Sequence, residues 1–200
     1  FKKISEALFI FFSSIFVIFL NILNIYTHYQ LKLPKADPVH TPNLIIYFQC
    51  MPRVMKDEKL IEKFLTRGVE TIIPSPEALR EKLMSGERIK AYQGFDPTGP
   101  YLHVGHSIGI RALRILQQLG HEVIFLVGDF TAIIGDPGGG KQRRIMTEEE
   151  IQKNMEEWKK QASQLIDFEG DNPAKFMRNS EWLSKLTIKE LIELMSKTTV

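Results

Sequence analysis

The first 50 residues of this 200-residue chain contain no glycine, methionine or arginine. All 13 glycines and all seven methionines follow Cys50, and the first arginine is Arg53. Lack of arginine argues against a mitochondrial presequence, and no small-x-small site follows the early apolar run, which argues against a cleaved signal peptide. Cys50 is the only cysteine. An internal disulfide framework is therefore excluded, and a reducing compartment fits. Charge of one sign is also missing after residue 50: 22 basic residues face 22 acidic ones. That balance argues against a broad electrostatic footprint for nucleic acid, though not against a local one.

Before residue 50 there are four lysines, two acidic residues and seven of the 13 phenylalanines. Ala7 to Tyr26 is apolar apart from Ser13, Ser14, Asn21 and Asn24, long enough to cross a hydrocarbon core, with Lys2 and Lys3 as a basic flank. One reading is a membrane anchor. The other is in-frame translation of A/T-rich upstream DNA with Met51 as the start; the residue types fit, and His28 to Gln49 has no sustained period. Two regions follow, 1–50 as an apolar extension and 51–200 as a globular domain.

From Met51 onwards the pattern predicts an α/β fold. Lys56 to Arg67 spaces Leu60, Ile61 and Phe64 on one helix face. Ile72 to Pro76 is a break, and Ser75-Pro76 opens a second helix to Leu83. Ile89 to Phe95 is a strand, followed by the turn Asp96-Pro97-Thr98-Gly99-Pro100. A third helix, Val104 to Leu119, carries the stripe Ile108, Ala112, Ile115 and Leu119 and is closed by Gly120. Glu122 to Val127 is an apolar run suited to a buried parallel strand. After the glycine loop Gly135 to Gly140, Thr147 and Glu150 form a capping box for a helix striped Ile151, Met155, Trp158, Ala162 and Leu165, a core face or subunit contact. A third strand lies near Phe176, and a second capping box joins Thr187 and Glu190. Strand, helix, strand with this crossover is the βαβ unit of a Rossmann-type parallel sheet.

Tyr92 to His106, YQGFDPTGPYLHVGH, places a strand end, a turn and a helix start in sequence. Ligands bind outside the carboxyl ends of parallel strands, and a helix N-terminus favours an anion. His103 and His106 stand three apart across that terminus. Gly105 removes a side chain where a ligand can approach, and Thr98 adds a hydroxyl. This ordered stretch, with Gly128 to Pro137 (GDFTAIIGDP) and Lys175 to Leu186 (KFMRNSEWLSKL), resembles the tyrosine-specific class I aminoacyl-tRNA synthetases. The resemblance spans Lys56 to Val200. Tryptophan-type synthetases share the His-x-Gly-His motif, but GFDPT with Tyr92 is tyrosine-like.

The resemblance implies a tyrosine–tRNA ligase. The carboxylate of L-tyrosine attacks the α-phosphate of ATP, which arrives with Mg2+, and the tyrosyl group then passes to tRNA(Tyr). It implies an ATP site at Gly94, Asp96, Pro97, Thr98, His103, Gly105, His106, Lys141 and Arg144. Thr98 and His103 meet the outgoing phosphates, His106 the ribose, and the Asp96 amide the α-phosphate. Tyr92 meets the substrate phenol and Asp136 its α-ammonium, with Thr131 and Asn179 lining that pocket; no resident metal is implied. A homodimer at full length and a cytoplasmic location follow from the same likeness. Two departures stand out: Gly138-Gly139-Gly140-Lys141 is one residue longer than the usual loop, leaving Lys141, Arg143 and Arg144 as alternative pyrophosphate clamps, and Glu181 replaces the usual aspartate before Trp182. The lysine-rich second hallmark loop, the later pocket residues and the anticodon-binding region lie outside these 200 residues. The sheet is thus expected to be truncated and the fragment alone inactive. The rival from another class is a P-loop-like ATPase using Gly135 to Lys141; Gln142 stands where its magnesium-binding hydroxyl belongs.

Overall fold

The computed structural model describes residues 8–12, 16–20, 53–133 and 145–196. Six strands form one sheet: β1 (Leu8–Phe12), β2 (Phe16–Leu20), β3 (Val69–Ile73), β4 (Lys90–Phe95), β5 (Glu122–Val127) and β6 (Lys175–Arg178). Their order is β3-β1-β2-β4-β5-β6. The helices are α1 (Glu58–Thr66), α2 (Pro76–Ser85), α3 (Val104–Gln118), α4 (Asp129–Ala132), α5 (Glu148–Ala162), α6 (Ser180–Leu183) and α7 (Ile188–Met195).

The expected parallel unit is present. β4 runs parallel to β5, with Tyr92 opposite Ile124 and Phe95 opposite Val127, and β5 runs parallel to β6, with Phe125 opposite Phe176. Side chains alternate between the two faces of a strand. One face therefore carries Ala91, Gln93, Phe95, Val123, Phe125, Val127 and Phe176. Rings from three strands meet there: Phe95 stacks on Phe125 at 4.7 Å, and Phe125 on Phe176 at 5.7 Å. The other face carries Tyr92, Gly94, Leu126 and Met177, none of them fully buried.

The helix starts follow their caps. Asp57 accepts from the Lys59 and Leu60 amides at 2.9 and 3.0 Å, and Ser75 from Ala78 at 3.2 Å ahead of Pro76. Thr147 and Glu150 exchange both capping bonds, and Thr187 pairs with Glu190 in the same way. Gly120 ends the third helix with φ +86, and a Cβ there would stand 2.5 Å from the Arg53 carbonyl. Only glycine suits both its backbone and its space.

Two expectations need revision. The break expected at Ile72 to Pro76 begins inside a strand, since Val69–Ile73 pairs antiparallel with β1. Leu8–Phe12 and Phe16–Leu20, both within the apolar run, are strands β1 and β2, which pair antiparallel with each other and stand between β3 and β4. Among the described residues no helix is long and apolar enough to cross a membrane. Finally, the buried face of α3 is wider than the expected stripe: Ala112 and Leu119 are buried as expected, Ile110, Leu113 and Leu116 are wholly buried as well, and Ile108 is 36% exposed. The reason is that α3 packs on β4, β5 and α1 together, so its buried face is broader than one stripe. The α5 stripe is as expected; Ile151, Met155, Trp158 and Ala162 are all core.

Candidate active site

Three loops converge beyond the carboxyl ends of β4, β5 and β6, one from each strand. Gly128, after β5, donates its amide to Phe95 O at 2.8 Å, and Asn179, after β6, donates its amide to Val127 O at 2.9 Å. These bonds continue the parallel ladder and bring Asp96, Thr131 and Asn179 together. Asn179 Nδ2 donates to Thr131 Oγ1 at 2.9 Å, and Thr131 Oγ1 donates to Asp96 Oδ1 at 2.7 Å. Asn179 Oδ1 accepts from the Phe130 amide at 2.9 Å. Gly128 lies against this chain, where a Cβ would enter the envelope of both Asp96 Oδ1 and Thr131 Oγ1.

Beside this chain stands the N-terminus of α3. His103 is the N-cap residue, in extended conformation, and its amide donates to His106 Nδ1 at 3.1 Å. The rings lie 3.8 Å apart, tilted by 33°. His106 also packs edge-on against Trp158 at 5.0 Å and Phe95 at 5.6 Å. Burial against these rings, with the neighbouring His103 imidazole, pushes the His106 pKa down to about 4. His106 is thus neutral at pH 7. With Nδ1 accepting, its proton sits on Nε2, so the ring presents a donor rather than a full charge. His103 is exposed, and Val104 is 84% exposed. The positive end of the helix therefore opens to solvent.

The loop between strand and helix is held from one side. Asn154 Nδ2 donates to Pro97 O at 3.0 Å, Trp158 Nε1 to Gly99 O at 2.7 Å, and Gln161 Nε2 to Pro100 O at 2.8 Å. Thr98 is exposed and donates its own amide to Asp96 O at 2.8 Å. Of the remaining expected residues, Pro97 is buried, Gly94 is exposed at the end of β4, and Gly105 is half-buried in the first turn of α3. Tyr92 is on the opposite sheet face from Phe95 and the imidazole pair. Burial raises its pKa to about 12, so its phenol keeps its proton. Asp136, Lys141, Arg143, Arg144 and the glycine loop Gly135 to Gly140 lie outside the described residues.

Several participants had no signal of their own in the sequence. Asp129 accepts from the Ser180 amide at 2.9 Å and the Ser180 hydroxyl at 2.6 Å, fixing α6 beside Asn179. Gln93 is 1% exposed, its amide group has no hydrogen-bond partner among the described residues, and it abuts Gly109 of α3. Asn154 and Gln161 are polar residues of α5 outside its apolar stripe. Only the close approach at Gly128 could have been suspected, from a glycine ending a strand.

The profile of the tRNA synthetases class I (W and Y) matches residues 84–200. The chain is similar to the tyrosine–tRNA ligase of Synechococcus sp. (strain JA-2-3B'a(2-13)), 43% identical over 146 residues, covering 72% of this chain and 35% of that one. It is also similar to that of Moorella thermoacetica, 44% identical over 142 residues, covering 69% and 34%. Among solved structures, a tyrosyl-tRNA synthetase complexed with L-tyrosine from Archaeoglobus fulgidus superposes with a TM-score of 0.54 at 28% identity, over 73% of this chain and 41% of that one. The chain spans about a third of the length of the curated relatives it matches. With that profile covering more than half of its residues, this chain belongs to the class I tRNA synthetases of the tryptophan and tyrosine group.

Proposed function

We propose that the protein to which this chain belongs is a tyrosine–tRNA ligase, and that these residues carry the ATP-facing part of its site. The observation that carries the reading is that the Asp96–Thr131–Asn179 chain links the carboxyl ends of three parallel strands, while the His103–His106 helix terminus packs through His106 on Phe95, the residue before Asp96. The terminus suits a polyphosphate, and adenylate formation needs little beyond alignment and charge stabilisation.

In this reading the tyrosine carboxylate attacks the α-phosphorus of ATP, the α–β bridging bond breaks, and pyrophosphate leaves. Thr98 and His103 bind the leaving phosphates. Neutral His106 donates through Nε2 to the ribose. The Asp96 amide meets the α-phosphate, with Gly94, Pro97 and Gly105 shaping the backbone around the nucleotide. Tyr92, with its proton retained, pairs with the substrate phenol; Thr131 and Asn179 line the same pocket, and Asp136 binds the ammonium. Lys141, Arg143 or Arg144 binds pyrophosphate, and Mg2+ enters with the nucleotide. Transfer to tRNA(Tyr), homodimer formation and a cytoplasmic location belong to the full-length protein. Every one of these residues follows Met51, so the chemistry is assigned to 51–200, with 1–50 as an extension outside it.

ATP–pyrophosphate exchange by the full-length protein tests this. Exchange is expected with tyrosine and not with tryptophan or phenylalanine. Exchange with tryptophan alone, or none with any amino acid, rejects the reading.

A further inference from the structure

The loop Asp96 to Pro100 lies between β4 and α3 and contains two prolines, which supply no N–H. Its own backbone bond is Thr98 N–H to Asp96 O. What holds it is one face of α5. Asn154, Trp158 and Gln161 stand at i, i+4 and i+7, a spacing that aligns side chains along one side of a helix. Each donates to a different loop carbonyl, those of Pro97, Gly99 and Pro100. Gln161 Oε1 also accepts from the Leu102 amide at 2.9 Å, one residue before His103. Trp158, 2% exposed, touches the His106 ring with the same indole that binds Gly99 O.

We infer that Asn154, Trp158 and Gln161 are positioning residues for the phosphates: they turn three loop carbonyls away from the anion and fix Thr98 and the imidazole pair relative to the start of α3. A carbonyl oxygen aimed at a phosphate repels it. A loop whose carbonyls are already bound on the far side has no such reorganisation left to make when the anion arrives. None of the three residues need touch the nucleotide. The inference rests on the adenylate-forming reading above.

Trp158→Phe keeps an aromatic ring near His106 and Phe95 but removes the N–H donor together with part of the buried indole; Gln161→Met keeps length and removes both bonds. In the full-length protein each is expected to raise the KM for ATP about three- to tenfold, the loss typical of one hydrogen bond, and to lower kcat, with the KM for tyrosine unchanged. A role confined to stability lowers the melting temperature and the active fraction but leaves the KM for ATP unmoved, and that result overturns the inference. Should wild type show no tyrosine-dependent exchange, the functional reading fails by itself. Inorganic pyrophosphate titrated against the His103 and His106 imidazole NMR signals then decides the positioning claim. The dissociation constant is expected to be at least about threefold weaker in Trp158→Phe. Equal constants, or no shift in wild type, overturn it.

Discussion

Gly128→Ala probes the junction on which the site depends. The backbone at Gly128 has φ −84, accessible to alanine, so the substitution acts through space and not through strain. Its amide is tied to Phe95 O at 2.8 Å, which prevents the strand end from retreating. The new methyl would overlap Asp96 Oδ1 and Thr131 Oγ1 and lie 3.1 Å from Asp96 Cγ. Relief comes from rotating one or both short side chains. That breaks the 2.7 Å Thr131–Asp96 bond and frees Asn179 Nδ2 from its 2.9 Å partner. Overpacking costs about 1–3 kcal/mol, and each hydrogen bond lost at a partly exposed site about 1 kcal/mol. A total of about 3 kcal/mol lowers the melting temperature by about 6–12 °C for a domain of this size. Differential scanning calorimetry measures it. Adding Asp96→Ala removes the more crowded contact and is expected to recover about half of the loss, a coupling characteristic of neighbouring sites. A Gly128→Ala protein melting within a degree of wild type, or one made worse by Asp96→Ala, refutes the packing described.

Other outcomes follow from the same geometry. His121 is fully buried at the start of β5, its Nδ1 accepting from the Ile89 amide at 3.4 Å, and burial followed by the nearby Arg88 pushes its pKa from 6.5 to about 4. The unfolded chain therefore binds more protons between pH 6.5 and 4. Stability is full above 6.5 and falls through that window, by up to about 3 kcal/mol; denaturant titrations at pH 7.5 and 4.5 should show a smaller difference in His121→Phe. Thr131→Val preserves shape but leaves Asn179 Nδ2 without its partner, and urea unfolding is expected to register a loss of about 1–3 kcal/mol. His103→Ala in the full-length protein should slow tyrosyl-adenylate formation by about 100-fold with tyrosine binding little changed, because the imidazole meets charge that develops in the transition state; equal losses in both refute the role. Removing residues 1–50 takes β1 and β2 from between β3 and β4, and the resulting open edges should make 51–200 marginally soluble in a sedimentation assay; a soluble fragment with a sharp melt contradicts this.

How much of this was legible in the sequence differs from element to element. β5 announced itself by a continuous apolar run, and the helices by side-chain caps that the structure reproduces bond for bond at Ser75, Thr147 and Thr187. Val69–Ile73 did not, because Glu70 and Thr71 are exposed and its five residues show no clear alternation. The run from Ala7 to Tyr26 carries no information on helix against strand, since an apolar stretch without period fits either. In the site, His103 and His106 were readable because their spacing is local. Asp96, Thr131 and Asn179 are 35 and 48 residues apart in sequence, and what unites them is strand order, which no local pattern encodes. Asn154 and Gln161 were hidden by their polarity: their partners are backbone carbonyls, which leave no mark on composition.

The products of ATP turnover test the central claim most directly. Full-length protein incubated with ATP and tyrosine, followed by phosphorus NMR and by gel filtration with labelled tyrosine, is expected to release pyrophosphate and retain tyrosyl-adenylate, with neither formed when tyrosine is withheld. Release of ADP and inorganic phosphate independent of any amino acid would mean cleavage at the γ-phosphate by a P-loop-like site at Gly135 to Lys141, and would contradict the account.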